Sequence, residues 1–269
     1  MIRLITIDLD GTLFDSYSKI SDDNKRAIKK CINYGIKIVL STGKSIKCVD
    51  SIIKELGLVD LQIVSGGTVI INPDLKIQAV MKIHRGSVLN AINLARNSGI
   101  GFGLDTTGGN VCYEKEHRNL KYFLESGEVL EKVEDIEKDH IIDNALLFTF
   151  LVDESHEFNE MLRKNINADV KIRRGGPYFL NMLSRKAGKV ASLRKILKKS
   201  GIDKNEVMAI GDSNNDLGTI EFAGLGIAMG NASRDVKLAA DHISSDNDNS
   251  GVAEAIYKFI QFQDRLPVF

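Results

Sequence analysis

The sequence predicts an α/β fold: a doubly wound parallel sheet with an inserted α+β domain. Three observations carry that reading. Within the first 65 residues short apolar runs alternate with stretches of helical periodicity, from Lys186 the same alternation returns, and the segment between them is rich in extended runs that break the pattern. Strands separated by helices of this length imply right-handed crossovers and parallel pairing. The expected division is a doubly wound domain made from residues 1–83 and 184–269, with residues 84–183 as the insertion.

Residues 2–7 (IRLITI) form a short apolar run suited to a buried strand. From Asp22 to Tyr34 apolar residues recur at Ala27, Ile28, Cys31 and Ile32, with Ser21 placed to cap the start and Gly35 to end it, so a helix is expected. Residues 36–41 (IKIVLS) are a second strand. Ile46, Val49, Ile52, Ile53 and Leu56 mark a second helix closed by Gly57, and LQIV at 61–64 is a third strand of the same sheet. After Gly66-Gly67, two extended runs around Asn72-Pro73-Asp74 read as a hairpin.

The insertion then holds a helix ending at Gly99, an extended pair across GLDTTGGNVCYE, a helical stretch near 117–126 and a strong strand at 145–152. A helix from 154 to about 165 and strands near 168–173 and 178–183 complete it, an order that suggests an antiparallel sheet. Beyond Lys186 come a helix to Ser200, a strand at 207–210, a helix after Asn214, short strands at 226–229 and 241–243, and a final helix after Ser250.

Composition narrows the function. With 269 residues, 43% hydrophobic, 27% charged and only three prolines, the chain can bury a substantial core. Basic and acidic side chains balance at 36 each, so no net field draws it towards nucleic acid or an anionic membrane, and small-molecule partners are expected. Met1-Ile2-Arg3 runs straight into the first strand without the regions of a signal peptide, and no apolar stretch approaches the roughly 20 residues of a membrane span. Cys31, Cys48 and Cys112 are widely spaced in apolar patterns and read as reduced thiols of a cytoplasmic protein. The five histidines, His84, His117, His140, His156 and His242, show no metal-ligand spacing. Oligomeric state is not legible.

In an open parallel sheet, ligands bind beyond the carboxyl ends of the strands. The first strand ends in Asp8 and Asp10, the second in Ser41-Thr42-Gly43-Lys44, and the strand VMAI in Gly211-Asp212-Ser213-Asn214-Asn215-Asp216. Asp8 and Asp10 share a face at strand periodicity, so their charges repel unless a cation or a shared proton relieves them. An oxygen-only donor set of this kind favours Mg²⁺, which commonly bridges to a substrate phosphate.

IDLDGTL at 7–13, STG at 41–43, Lys189 ahead of VASLRKIL, and AIGDSNNDLGTIEFAGLGIAMGNA at 209–232 resemble, in order and spacing, the four motifs of the haloacid dehalogenase superfamily. The insertion between the second and third motifs resembles the C2-type cap of its Cof-like phosphatase branch. The resemblance implies a Rossmann-like core and a Mg²⁺-dependent phosphomonoester hydrolase acting on a small phosphorylated metabolite, a sugar phosphate or similar. A phosphomutase or phosphotransferase using the same aspartate chemistry is the alternative, with a non-catalytic regulator behind it.

Residue by residue, the resemblance implies that Asp8 is the nucleophile that takes the phosphoryl group and that Asp10 is the general acid and then base. Thr42 and the backbone N–H of Gly43 would grip phosphoryl oxygens, with Leu9 and Asn215 also in contact with substrate, and Lys189 would bring its charge to the transition state. Asp8, the carbonyl of Asp10 and Asp212 would hold Mg²⁺, with Asp216 behind them. Lys44 stands where an arginine is usual, Val190 where a glycine is usual, and Gly66-Gly67-Thr68 where Asn-Gly-Ala is common. Substrate choice is expected to rest on the insertion, with Gly108-Gly109-Asn110 and Arg173-Arg174-Gly175-Gly176 as candidates to line the leaving-group pocket.

Overall fold

The computed structural model describes residues 1–152, 156–176 and 178–262. The chain opens with β1 (Leu4–Ile7), α1 (Asp22–Asn33), β2 (Lys37–Leu40), α2 (Asp50–Leu56), β3 (Gln62–Val64), β4 (Val69–Ile71) and β5 (Ile77–Val80). It continues through α3 (Arg85–Asn97), β6 (Gly101–Thr106), β7 (Val111–Tyr113), α4 (Lys121–Glu125), β8 (Leu130–Lys132), α5 (Asp139–Ile142), β9 (Ala145–Leu151), α6 (His156–Asn165), β10 (Val170–Gly176) and β11 (Phe179–Ser184). It closes with α7 (Lys189–Ser200), β12 (Val207–Gly211), α8 (Leu217–Phe222), β13 (Leu225–Ala228), α9 (Arg234–Ala239), β14 (His242–Ile243) and α10 (Gly251–Phe259).

The chain divides into two compact units, one of residues 1–41, 56–60 and 196 onward, the other of residues 42–55 and 61–195. In the first, five parallel strands run in the order β14-β13-β12-β1-β2. Every residue of β1 is buried, as a strand covered on both faces requires. Ser21 caps α1 as its sequence position implies, its hydroxyl accepting from the Asn24 N–H at 3.2 Å. Gly35 follows the helix at φ +77°, a left-handed turn where a β-carbon would be strained.

One expectation is corrected. Residues 62–64 do form a strand, but β3 pairs antiparallel with β4 in a separate sheet ordered β3-β4-β5 instead of joining the parallel one. The cause is the turn between them: Ser65, Gly66 and Gly67 all take left-handed φ values, 49°, 66° and 84°. The chain therefore reverses at once, and β4 pairs along one edge of β3, while on the other edge the Ile63 carbonyl accepts the Thr42 N–H at 3.0 Å just past the end of β2. The hairpin around Asn72-Pro73-Asp74 forms as expected, joining β4 to β5.

The second unit also holds a six-stranded sheet, β10-β11-β9-β6-β7-β8. Leu104, Phe148, Phe150, Met182 and Ile172 alternate onto one face and pack with Val88, Ile92 and Leu162 of α3 and α6 into a single apolar core. Phe148 lies at its centre, its ring 4.9 Å from Phe102 and 4.6 Å from Phe150. The sheet is mixed, contrary to the antiparallel expectation: β7 and β8 run parallel, because the connection through α4 is long enough to carry the chain back to the same end. Residues 154 and 155, where a helix was expected to begin, lie outside the described residues, and α6 starts at His156. The short elements β8, α5 and α9 carry no periodicity long enough to be read from sequence.

The three thiols are free, Cys31 and Cys112 buried and Cys48 half-buried. Burial pushes Cys31 and Cys48 up to about 12 and Cys112 to about 11, so none offers a thiolate near neutrality. Among the described residues, no helix is long and apolar enough to cross a membrane.

Candidate active site

Sheet register decides what the first unit brings together. Ile7 at the end of β1 pairs with Ile210 of β12, and the Asp8 N–H continues the ladder to the Ile210 carbonyl at 3.1 Å. Asp8 therefore lies level with Gly211, the last residue of β12, and Asp212 follows directly after it, so both aspartates emerge at the carboxyl edge of the sheet. After Asp8 the chain closes a wide turn, with the Leu13 N–H donating to the Asp8 carbonyl at 3.3 Å and the Phe14 N–H to that of Leu9 at 2.9 Å. Gly11 sits in it at φ +77°, and a β-carbon there would come within 2.6 Å of Asp212 Oδ2. Only glycine lets this turn lie against that carboxylate.

Asp8, Asp212 and Asp216 each offer a carboxylate oxygen, and these oxygens all lie within 4.8 Å of one another. Asp8 and Asp216 are buried and Asp212 half-buried, so the clustered charge is poorly screened. Asp212 accepts the Thr12 hydroxyl at 2.7 Å, and Asp216 Oδ2 accepts both the N–H and the hydroxyl of Ser213, at 3.1 and 2.8 Å. Fixed oxygens at this spacing, with no nitrogen or sulfur among them, suit a hard divalent cation. Asp216, expected behind the ligands, has a carboxylate oxygen in the same group.

The other residues of the first unit fall around this group. Asp10 lies in the turn with its side chain exposed, and its expected contribution to a cation is its carbonyl oxygen. Leu9 buries its side chain completely, which leaves only its backbone for a ligand. Asn215 is half-buried within the turn that the Asp216 N–H closes onto the Ser213 carbonyl at 2.8 Å.

Thr42, Gly43 and Lys189 belong to the second unit, where a single turn joins them. The Gly66 N–H donates to the Thr42 carbonyl and the Ser65 N–H to that of Lys44, at 3.0 and 2.7 Å. On the other side the Gly67 carbonyl accepts the Gly188 N–H at 3.0 Å and the Ser192 hydroxyl at 2.9 Å. A β-carbon at Gly67 would lie 2.2 Å from the Gly188 carbonyl carbon and 2.4 Å from the Lys189 nitrogen. Thr42 and Lys189, nearly 150 residues apart in sequence, are thus held to the same three-residue turn. Both are buried and Gly43 is exposed. The two glycines were visible in the sequence as a departure from Asn-Gly-Ala, yet their role in seating Lys189 depends on a contact that no local pattern encodes.

Lys44 is buried and donates to the Ser126 carbonyl at 2.6 Å. Glu128 accepts the Ser45 N–H and the Cys48 thiol, each at 3.1 Å. Gly109, at the expected hairpin tip, lies against the same segment: a β-carbon there would approach Lys47 to within 2.9 Å. Lys47 in turn donates to the Asn110 side chain.

Comparison with known proteins shows what the whole chain is similar to. The family model described as haloacid dehalogenase-like hydrolase matches residues 5–256. The chain is similar to a 5-amino-6-(5-phospho-D-ribitylamino)uracil phosphatase of Bacillus subtilis, 31% identical over 260 residues covering 96% of each chain. It is 28% identical to a second Bacillus subtilis phosphatase over 94% of this chain and 98% of that one. Among solved structures, a haloacid dehalogenase-like hydrolase from Bacteroides thetaiotaomicron superposes with a TM-score of 0.89 at 28% identity, over 97% of this chain and 100% of the other.

Proposed function

This chain belongs to the haloacid dehalogenase-like hydrolase family and is a phosphatase of that family, and on that footing we propose that it is a Mg²⁺-dependent hydrolase of small phosphomonoesters, sugar phosphates among them. The observation that carries this reading is the convergence of Asp8, Asp212 and Asp216 oxygens within 4.8 Å at the ends of adjacent parallel strands. That donor set fits Mg²⁺, which Asp8, Asp212 and the carbonyl of Asp10 would hold, with Asp216 beside them. When bound, the cation supplies the positive charge that lets a phosphate dianion approach a carboxylate.

The chain's own residues do the rest. An Asp8 carboxylate oxygen attacks phosphorus; the new O–P bond forms as the P–O bond to the leaving group breaks, and Asp10 gives its proton to the departing alkoxide. A water then attacks the aspartyl-phosphate, Asp10 takes a proton from it, and inorganic phosphate leaves with Asp8 restored. Thr42 and the Gly43 N–H grip phosphoryl oxygens, Leu9 and Asn215 add substrate contacts, and the Lys189 ammonium offsets charge in the transition state. In this reading residues 1–83 and 184–269 form the catalytic core and residues 84–183 the cap that meets the leaving group. Free thiols and balanced charge support a cytoplasmic setting.

The test is phosphate release from a panel of phosphorylated metabolites with and without Mg²⁺, beside Asp8→Asn. Release that needs Mg²⁺ and disappears in the variant is expected. Turnover surviving Asp8→Asn sinks the assigned nucleophile, and an isomerised sugar phosphate without net release identifies a mutase instead.

A further inference from the structure

The face of the six-stranded sheet opposite its apolar core carries a patch that the chemistry above does not use. Paired residues of neighbouring strands share a face, so Lys171 with Leu183, and Arg173 with Asn181 and Thr149, all project to this side. Their polar valences are already partly committed, and what remains free is of one kind. Asn181 Oδ1 accepts the Thr149 hydroxyl at 2.9 Å, which turns the amide's N–H₂ outward against Gly175, whose missing β-carbon makes the room. Lys171 Nζ donates to the carbonyls of Arg185 and Ala187, leaving one N–H. Arg173 has five N–H groups and, among the described residues, no hydrogen-bond acceptor or carboxylate partner.

Other arginines of this unit do find acceptors: Arg85 pairs with Asp143 at 3.0 Å and Arg96 with Glu114 at 2.9 Å, while Arg163 donates to the Asn159 side chain and Arg185 to the Ala168 carbonyl. Arg173 is half-buried and faces another cation. Burial, then the neighbouring Arg173 and Arg185, hold Lys171 down to about 8, and burial also lowers Arg173. The patch thus sets two cations and an amide N–H₂ together, and among the described residues no carboxylate is paired with either cation. It also adjoins the backbone just ahead of Lys189. A β-carbon at Gly188 would lie 3.0 Å from Arg173 Nη2 and 3.4 Å from Lys171 Nζ.

We propose that Arg173, Lys171 and Asn181 form an anion subsite for the leaving group, so that preferred substrates are phosphomonoesters carrying a second anion, a carboxylate or another phosphate. This rests on the phosphatase reading and on Lys189 meeting the transferred phosphoryl group, which leaves the adjoining patch to what that group is attached to. Arg173 presents a planar fork to the second anion, Asn181 Nδ2 adds a neutral donor, and Lys171 adds charge.

The experiment compares kcat/KM within two matched pairs, 3-phosphoglycerate against glycerol 3-phosphate and fructose 1,6-bisphosphate against fructose 6-phosphate, with p-nitrophenyl phosphate as a general probe. In at least one pair the partner carrying the second anionic group is expected to be favoured by about tenfold or more, and the pair identifies whether carboxylate or phosphate is read. Arg173→Gln is expected to collapse that ratio through KM, and Arg173→Lys to keep part of it. Should Arg173→Gln lose its cooperative melt, Asn181→Asp serves in its place, since a carboxylate inside the patch should reverse the preference. No preference in either pair, or a ratio unmoved by these variants, overturns the subsite while p-nitrophenyl phosphate turnover leaves the phosphatase reading standing. Absence of phosphate release from every compound overturns both.

Discussion

Thr12 donates its hydroxyl to Asp212 Oδ1 at 2.7 Å, tying the turn after β1 to the end of β12. The bond commits one oxygen's lone pair and leaves the carboxylate a fixed orientation towards Asp8 and Asp216. Thr12→Val, close in shape, should therefore weaken Mg²⁺ binding roughly tenfold with little loss of fold, as removal of an outer hydrogen bond to a ligand commonly does. Titration calorimetry with magnesium chloride measures it. An unchanged Kd would show that Asp212 is held by other means.

Gly67 leaves no space for a side chain. With a β-carbon 2.2 Å from the Gly188 carbonyl carbon and φ at +84°, Gly67→Ala has to move the backbone ahead of Lys189 as well as strain its own. A stability loss of about 2 kcal/mol or more is expected in urea unfolding, larger than φ strain alone produces. Gly66→Ala is the comparison, since φ there is +66° and nothing lies within 4 Å of its added carbon.

Phe148 tests the core of the second unit. It is fully buried between Phe102 and Phe150, and Phe148→Ala should cost about 3–5 kcal/mol through lost contacts and a cavity. A loss under about 1 kcal/mol in chemical denaturation would mean that the sheet collapses readily around the gap.

Asp105 on β6 makes stability depend on pH. Burial, opposed by the nearby Ser65 hydroxyl and the Thr106 N–H and reinforced by the charge of Glu128, pushes its carboxyl up to about 8. Asp105 Oδ1 and Ser65 Oγ nonetheless fall short of hydrogen-bond geometry and have no partner among the described residues. The unfolded chain releases this proton near pH 4 and the folded one near 8. Between those values the unfolded state binds fewer protons, so this group's contribution to stability falls as pH rises through the window and levels off above it. Asp105→Asn should flatten the decline in urea midpoint between about pH 5 and pH 8. An identical slope in both proteins would place the pH dependence elsewhere.

The sheet edge was legible because its logic is local. A short apolar run ending in aspartate announces a strand and its functional end together, and parallel pairing of β1 with β12 then brings Asp8 level with Gly211, with Asp212 next in the chain at the same edge. Asp216 was harder to place: its residue type marks it as functional, but whether it joins the cation group depends on how tightly the Ser213–Asp216 turn closes. The strand at 62–64 was assigned to the wrong sheet because an apolar triplet carries no record of its partner, which is decided by the left-handed run at 65–67 that follows. Arg173 was visible only as a charged pair with Arg174. Its difference from that neighbour comes from cross-strand pairing with Asn181 and the proximity of Gly188, both set by segments distant in the chain.

The central position of β1 has a consequence for biosynthesis. Its four buried residues leave the ribosome well ahead of β12: β2 follows promptly to cover one edge, but the strand that covers the other begins only at Val207. At about 5–20 residues per second, that edge waits ten seconds or longer. During that wait the nascent chain displays a naked apolar ribbon able to zip onto its copies on neighbouring polysomes, so yield in cells should respond to trigger-type holdases and to slower translation more than the stability of the finished protein suggests.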